Sequence, residues 1–340
     1  MAQASERRAL VLGATGHIGQ GVLRELLSRD YRVTAVTRQA CPPSLEGMGV
    51  DVVVGDLGRP GLLPELVPGH DVVIDAAAPK PLGYFSPTRG ASDPVGGARR
   101  RSLALVRAVE RGGARLAHVS SFATLPRPPA VSRDAGVRWR HERNAYFIAK
   151  AEMERHLLDA GRRGLPIVVA NPAAVFGPWE TAPPEESVVA RIVRVRLPFV
   201  MRHVVNVIDV RDVATAVVTA IEVGRFGERI SMSAHDTTLD EVARRVAELA
   251  GVAPPVPVDA RFAEGFGLWL EALWALGGRP APDAVCAVPV IADAWPMGTS
   301  RDLLALGVEP RPLEETLRDS VLWQCGSTRN GRGALNEGAT

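Results

Sequence analysis

Through the first half of the chain, short apolar runs rich in β-branched residues alternate with longer stretches whose apolar positions recur every three to four residues. The short runs predict strands at residues 9–12, 32–36, 50–54, 71–76, 116–120 and 166–170. The longer stretches predict helices at 18–28, 99–111 and 144–160. Strands alternating with helices in this way form a parallel sheet covered on both faces. Right-handed crossovers then bring the carboxyl ends of the strands to one edge, where ligands bind. The expected fold class is therefore α/β, with a doubly wound parallel sheet over residues 7–171.

After Asn171 the rhythm breaks. Helical patterns at 187–195, 239–250, 262–276 and 313–323 are joined by irregular stretches rich in Pro and Gly. They predict a smaller, mostly helical lobe over 172–324 that closes on the sheet edge and binds substrate. Elements near 204–232, including a strand at 228–232, are expected to return to the sheet. Phe262, Phe266, Trp269, Leu270, Leu273 and Trp274 share one helical face, which reads first as core. Residues 325–340 are polar, Gly-rich and aperiodic, so a disordered tail is expected.

Composition narrows the function more than the fold. Lys and Arg together number 40 against 38 for Asp and Glu, which gives no electrostatic case for nucleic acid. Cys41, Cys286 and Cys325 lie far apart, against both a disulfide framework and a metal site. No apolar run reaches the ~18 residues of a membrane span, and no secretory leader pattern opens the chain. A cytoplasmic enzyme with a small-molecule substrate is expected. Lys80 and Lys150 are the only lysines, so each is worth inspecting.

Four places carry candidate chemistry. The run Gly13-Ala14-Thr15-Gly16-His17-Ile18-Gly19 sits between the first predicted strand and helix. Such a turn offers backbone N–H groups and a helix dipole to a pyrophosphate. Its spacing is G-x-x-G-x-x-G, not the general G-x-G-x-x-G. At the end of the second strand, Arg38 stands where an acidic residue would hold a ribose hydroxyl; a basic one suits a 2′-phosphate, favouring NADP with NAD still open. After the third and fourth strands come Asp56-Leu57, suited to an adenine, and Ala76-Ala77-Ala78, small enough for a cofactor to lie against the backbone. Finally, Tyr146 and Lys150 are four apart on a predicted helix and share a face. A phenol titrates near ~10, and a neighbouring ammonium is expected to lower it. Ser120 or Ser121, at the end of the fifth strand, would orient a substrate oxygen.

These motifs, in this order, resemble the extended short-chain dehydrogenase/reductase family, whose sheet is of the Rossmann type. The similarity carries on through residues 171–178, 206–214 and 300–323 and so covers roughly residues 7 to 324. Its later segments are most similar to the branch of dihydroflavonol-reductase-like, hydroxysteroid-dehydrogenase-like and sugar-epimerase-like proteins. The resemblance implies a Ser121–Tyr146–Lys150 active site, Ser121 being chosen because the family's hydroxyl is generally the second of the pair. Pro172 and Val175 would meet the nicotinamide end, and Asp212 would be a structural anchor. Arg101-Ser102 replaces the usual Gly-Thr pair, the nearby asparagine is missing, and Ala149 stands where serine is common.

Three activities stay open at this point. The first is reduction of an apolar ketone, or oxidation of the alcohol. The second is nucleotide-sugar epimerisation or dehydration, with Arg191, Arg194, Arg196 and Arg202 as a diphosphate clamp. The third is non-catalytic dinucleotide sensing. Lys80, Tyr84 and Phe85 overhang the expected site, and helices 99–111 and 144–160 could form a homodimer.

Overall fold

The computed structural model describes residues 6–59, 61–77, 94–126, 145–182, 187–277, 288 and 294–336. Its main sheet has seven parallel strands: β1 (Arg8–Leu12), β2 (Arg32–Thr37), β3 (Asp51–Val54), β4 (Val72–Asp75), β5 (Arg115–Val119), β6 (Ile167–Pro172) and β10 (Arg229–Met232), in the order β10-β6-β5-β4-β1-β2-β3. The Rossmann-type doubly wound sheet expected from the sequence is present, and the strand at its far edge returns from later in the chain. The order reverses between β1 and β4, where Leu12 lies in register with Asp75. A crevice opens there at the carboxyl edge.

Alternation along the strands builds the two covering layers. Ala9 and Val11 of β1 face a core shared with α1 (His17–Ser28) and α6 (Val210–Val223). Leu10 and Leu12 face the other core, with Leu105 of α3 (Pro94–Gly112) and Met153 and Leu157 of α4 (Ala145–Arg162). Successive strand side chains point to opposite faces, so each covering layer draws on every second residue. A parallel strand buried on both sides thus reads as an unbroken apolar run.

The remaining elements form a third core around Val207, Leu239, Val242, Leu317 and Val321. The lobe is mostly helical, as expected, and also carries short strands that the sequence pattern did not announce. β7 (Ala174–Phe176) and β11 (His235–Thr238) flank β9 (Val204–Asp209), and β8 (Phe199–Arg202) pairs with β12 (Val256–Asp259). Around them lie the short helix α5 (Val188–Ala190), α7 (Leu239–Leu249), α8 (Ala260–Leu276), α9 (Arg301–Ala305) and α10 (Leu313–Asn336). Asp212 on α6 accepts from the Arg311 backbone N at 2.8 Å and pairs with its guanidinium, so it does anchor this layer to the turn before α10.

Two expectations are corrected. On α8 the inward positions are Gly267 and Glu271, while Phe262 is 65% and Trp269 58% exposed; the apolar face points away from the core. Periodicity tells which residues share a face, not which way it turns. The irregular tail expected from residue 325 instead continues α10 to Asn336, since a helix already fixed by packing at Leu317 and Val321 extends at one hydrogen bond per residue. Among the described residues, no helix is long and apolar enough to cross a membrane.

Candidate active site

The glycine turn lies at the crevice between β1 and β4. Gly13 adopts φ +77°, and a Cβ there would sit 2.6 Å from the Ala77 backbone. A Cβ on Gly19 would meet the Gly13 carbonyl at 2.1 Å, so α1 can pack onto the turn only without a side chain. Gly16 precedes α1 with no side-chain cap, which leaves the first-turn N–H groups available. His17 Nε2 lies 3.0 Å from the Pro178 carbonyl, and burial pulls its pKa down to about 4, so its ring is a neutral tie to the second lobe. Ala14 is buried and Ile18 packs on the sheet core.

A groove of about 600 Å³ follows this edge. Arg38, Asp56 and Leu57 line one end, Gly13, Thr15 and Gly16 the turn, and Ala76, Ala77, Arg101 and Met153 the rest. Asp56 Oδ1 accepts from the Gly58 backbone N at 2.9 Å, and Arg38 is exposed with no ion pair among the described residues. The groove thus brings together side chains from four strand ends that sequence reasoning had matched one by one. Ala78, Lys80, Tyr84 and Phe85 lie outside the described residues.

Ser121 and Tyr146 meet beyond this groove. Ser121 caps the turn after β5, its Oγ accepting from Ala123 N at 3.3 Å, and it hydrogen-bonds the Tyr146 hydroxyl. Ser120 turns the other way, donating to Glu154 Oε2 at 2.6 Å. Glu154 also accepts from Thr124 Oγ1 at 2.5 Å and Asn171 Nδ2 at 2.8 Å, and pairs with Arg229. Thr124 and Asn171 in turn donate to the Ser121 carbonyl at 2.8 and 3.1 Å. This hub of hydrogen bonds fixes the end of β5 against α4, so the backbone that carries Ser121 is held from behind. Glu154 and Asn171 were not singled out from the sequence, although Glu154 continues the Tyr146–Lys150 face one turn on.

Lys150 is buried and donates to the Val119 carbonyl at 3.2 Å. Burial and the charge of Arg101 bring its pKa down to about 7, partly opposed by Glu154. The expected lowering of the Tyr146 phenol does not hold here. Burial raises its pKa against the pull of the Ser121 bond, while the Lys150 amine is turned to the β5 backbone. The phenol is accordingly protonated at neutral pH.

Ser121 and Tyr146 open on a cavity of about 410 Å³ walled mainly by Phe122, Ala173, Val175, Phe176, Val189 and Val205. Phe122 meets Trp295 edge-on, with ring centroids 5.8 Å apart. Glu180 is the carboxyl in its wall; burial raises its pKa, and Ser187 donates to it. Pro172 is buried one residue before the lining begins. The four arginines considered as a diphosphate clamp do not converge on this cavity: Arg194 donates to the Gln324 carbonyl, Arg202 pairs with Asp240, Arg196 is exposed, and Arg191 lines a separate apolar cavity. That second cavity, about 540 Å³, shares Val188 and Leu239 with the first and is walled by Phe199, Met201, Phe262 and Phe266. Among the described residues, no group of His, Cys, Asp and Glu could hold a metal ion.

This arrangement has relatives over nearly its full length. The chain is 27% identical to a putative dihydroflavonol 4-reductase of Synechocystis, covering 92% of this chain and 93% of that protein. It is 26% identical to sterol demethylase protein B of Methylococcus capsulatus, covering 92% and 97%. Its fold superposes on a nucleoside-diphosphate-sugar epimerase from Pseudomonas aeruginosa with a TM-score of 0.68 at 21% identity, over 95% of this chain and 99% of that one. Residues 9–232, from the first strand to the last strand of the main sheet, match the NAD dependent epimerase/dehydratase family, and the chain belongs to that family.

Proposed function

We propose that the protein is an NADP-dependent oxidoreductase that interconverts a ketone and an alcohol on a bulky apolar, ring-bearing small molecule. The observation that carries this reading is the Ser121–Tyr146 hydrogen bond, set in an apolar cavity at the sheet edge that also bears the glycine turn. The groove suits a dinucleotide by its chemistry: two glycines expose backbone to a phosphate, an uncapped helix start offers N–H groups, and alanines keep the wall low. Residues 13–19 would hold the pyrophosphate, Asp56 and Leu57 the adenine, and Ala76 and Ala77 the flat wall. Tyr146 and Lys150 would meet the nicotinamide ribose, with Pro172 and Val175 at the nicotinamide end. When bound, the nicotinamide supplies or accepts the hydride.

The chain's own residues then handle the oxygen and its proton. Ser121 orients the substrate oxygen, and Tyr146, protonated at neutral pH, gives its proton to that oxygen in reduction and recovers it in oxidation. Lys150 titrates at about 7 and can exchange a proton near neutrality. Arg38, exposed at the proposed adenosine end without a carboxylate partner among the described residues, supports NADP over NAD. The adjoining apolar cavities and the relatives named for a dihydroflavonol and a sterol support a ring-bearing substrate.

The test is NADPH consumption with a panel of polycyclic and aromatic ketones, run beside nuclear magnetic resonance of UDP- and dTDP-sugars with the same protein. Turnover of an apolar ketone is expected. Conversion of a sugar nucleotide without net NADPH consumption would instead establish the epimerase or dehydratase reading.

A further inference from the structure

Arg101 comes from α3, on the face of the sheet opposite α1, and reaches the groove beside Ala76 and Ala77. Its Nη2 donates to Oδ1 of Asp75, the last residue of β4. The second oxygen of Asp75 lies 2.8 Å from Nδ1 of His118 on β5. Asp75 and His118 are fully buried, whereas the Arg101 side chain keeps 14% exposure at the groove. Holding a carboxylate in the sheet core is costly without a charge partner, and Arg101 supplies it.

That bond uses one of five guanidinium donors. Among the described residues the others make no hydrogen bond, and Nε is buried without a partner there. A buried ion pair is a weak source of stability compared with an apolar pair of like volume. Its place in the wall of an anion-binding crevice therefore calls for a ligand, and an arginine fork matches phosphate oxygens. Gly97 and Ala98, on the same stretch of α3, keep the space in front of it open.

We propose that Arg101 is a dinucleotide-binding residue that contacts the pyrophosphate from the sheet face opposite the Gly13–Gly16 turn, with Asp75 and His118 as its positioning residues. The inference rests on the dinucleotide reading above and adds a cation that does not depend on the 2′-phosphate. Arg38 and Arg101 then divide the work: one distinguishes NADP from NAD, the other grips both.

The test is calorimetric titration of NADH and NADPH into the intact wild-type protein, Arg38→Ala, Arg101→Leu and the double variant Asp75→Asn/Arg101→Leu, with thermal melting of each. Arg101→Leu is expected to weaken both dinucleotides alike, by ~10-fold or more, as the loss of a charge-assisted contact implies. Arg38→Ala is expected to weaken NADPH selectively. The double variant relieves the unpaired buried carboxylate, so it should regain melting temperature but not affinity. Wild-type affinity in Arg101→Leu, or affinity restored in the double variant, would reduce Arg101 to a counter-ion of Asp75 and overturn the inference while leaving the dinucleotide reading intact. A wild-type protein that binds neither dinucleotide overturns that reading and this inference with it.

Discussion

Ser120 Oγ donates to Glu154 Oε2 across 2.6 Å, so the first hydroxyl of the serine pair is committed to the inner side of α4 and the second is left to Tyr146. Two adjacent serines on an extended strand end point to opposite sides, and here the two sides have different tasks. Ser121→Ala is expected to lower turnover by ~100-fold, as for the loss of one aligned donor at a reacting oxygen, with little change in melting. Ser120→Ala is expected to do the reverse, costing ~1–2 kcal/mol of stability through the weakened Glu154 hub while largely keeping turnover. Denaturant unfolding and steady-state rates on the two variants check this; a turnover loss in Ser120→Ala matching that of Ser121→Ala would contradict it.

Arg38 lines the end of the groove where the proposed adenosine would lie, with no competing ion pair among the described residues. Arg38→Ala is expected to weaken NADPH by ~10-fold or more and leave NADH nearly unchanged, because only the former carries the extra phosphate. Equal losses for the two cofactors would remove the basis for NADP preference.

His17 gives the protein a pH dependence of known sign. Its ring is buried and neutral, with a pKa lowered to about 4 from 6.5. Above 6.5 neither the folded nor the unfolded chain protonates it. Between 6.5 and about 4 the unfolded chain takes up a proton that the folded one refuses, so stability falls as pH drops through that window. His17→Gln, which can still donate to the Pro178 carbonyl, is expected to flatten that fall. Denaturant midpoints across the window measure it, and an unchanged pH slope in the variant would rule out His17 as a source.

The inner strands of the sheet were legible in the sequence because β1, β2, β4, β5 and β6 are buried on both faces and read as largely apolar runs. The place of the glycine turn between β1 and α1, and of Tyr146 and Lys150 on one helix, was legible because each depends on spacing within one or two elements. β7, β8, β9, β11 and β12 were not: their pairing is decided by partners far along the chain, as with His235 opposite Val207. The outward turn of the α8 aromatic face was hidden for a related reason, since Gly267 and Glu271 win the inward position through packing that periodicity does not encode. Asp75, Arg101 and His118 lie on three elements, separated by 26 and 43 residues, and nothing local marks them as a set. The Tyr146 pKa is raised rather than lowered because the phenol is buried, which spacing on one helix does not reveal, and the Lys150 amine is turned to a backbone carbonyl on β5.

The most direct test of the account is Tyr146→Phe, which removes one hydroxyl and leaves the ring that packs edge-on against Phe147. NADPH affinity and steady-state turnover of an apolar ketone should be measured on the same preparations of wild type and variant. Unchanged affinity and a turnover reduced by ~100-fold or more are expected, the usual scale for losing an acid/base group. Turnover equal to wild type would contradict it by removing Tyr146 from the proton transfer.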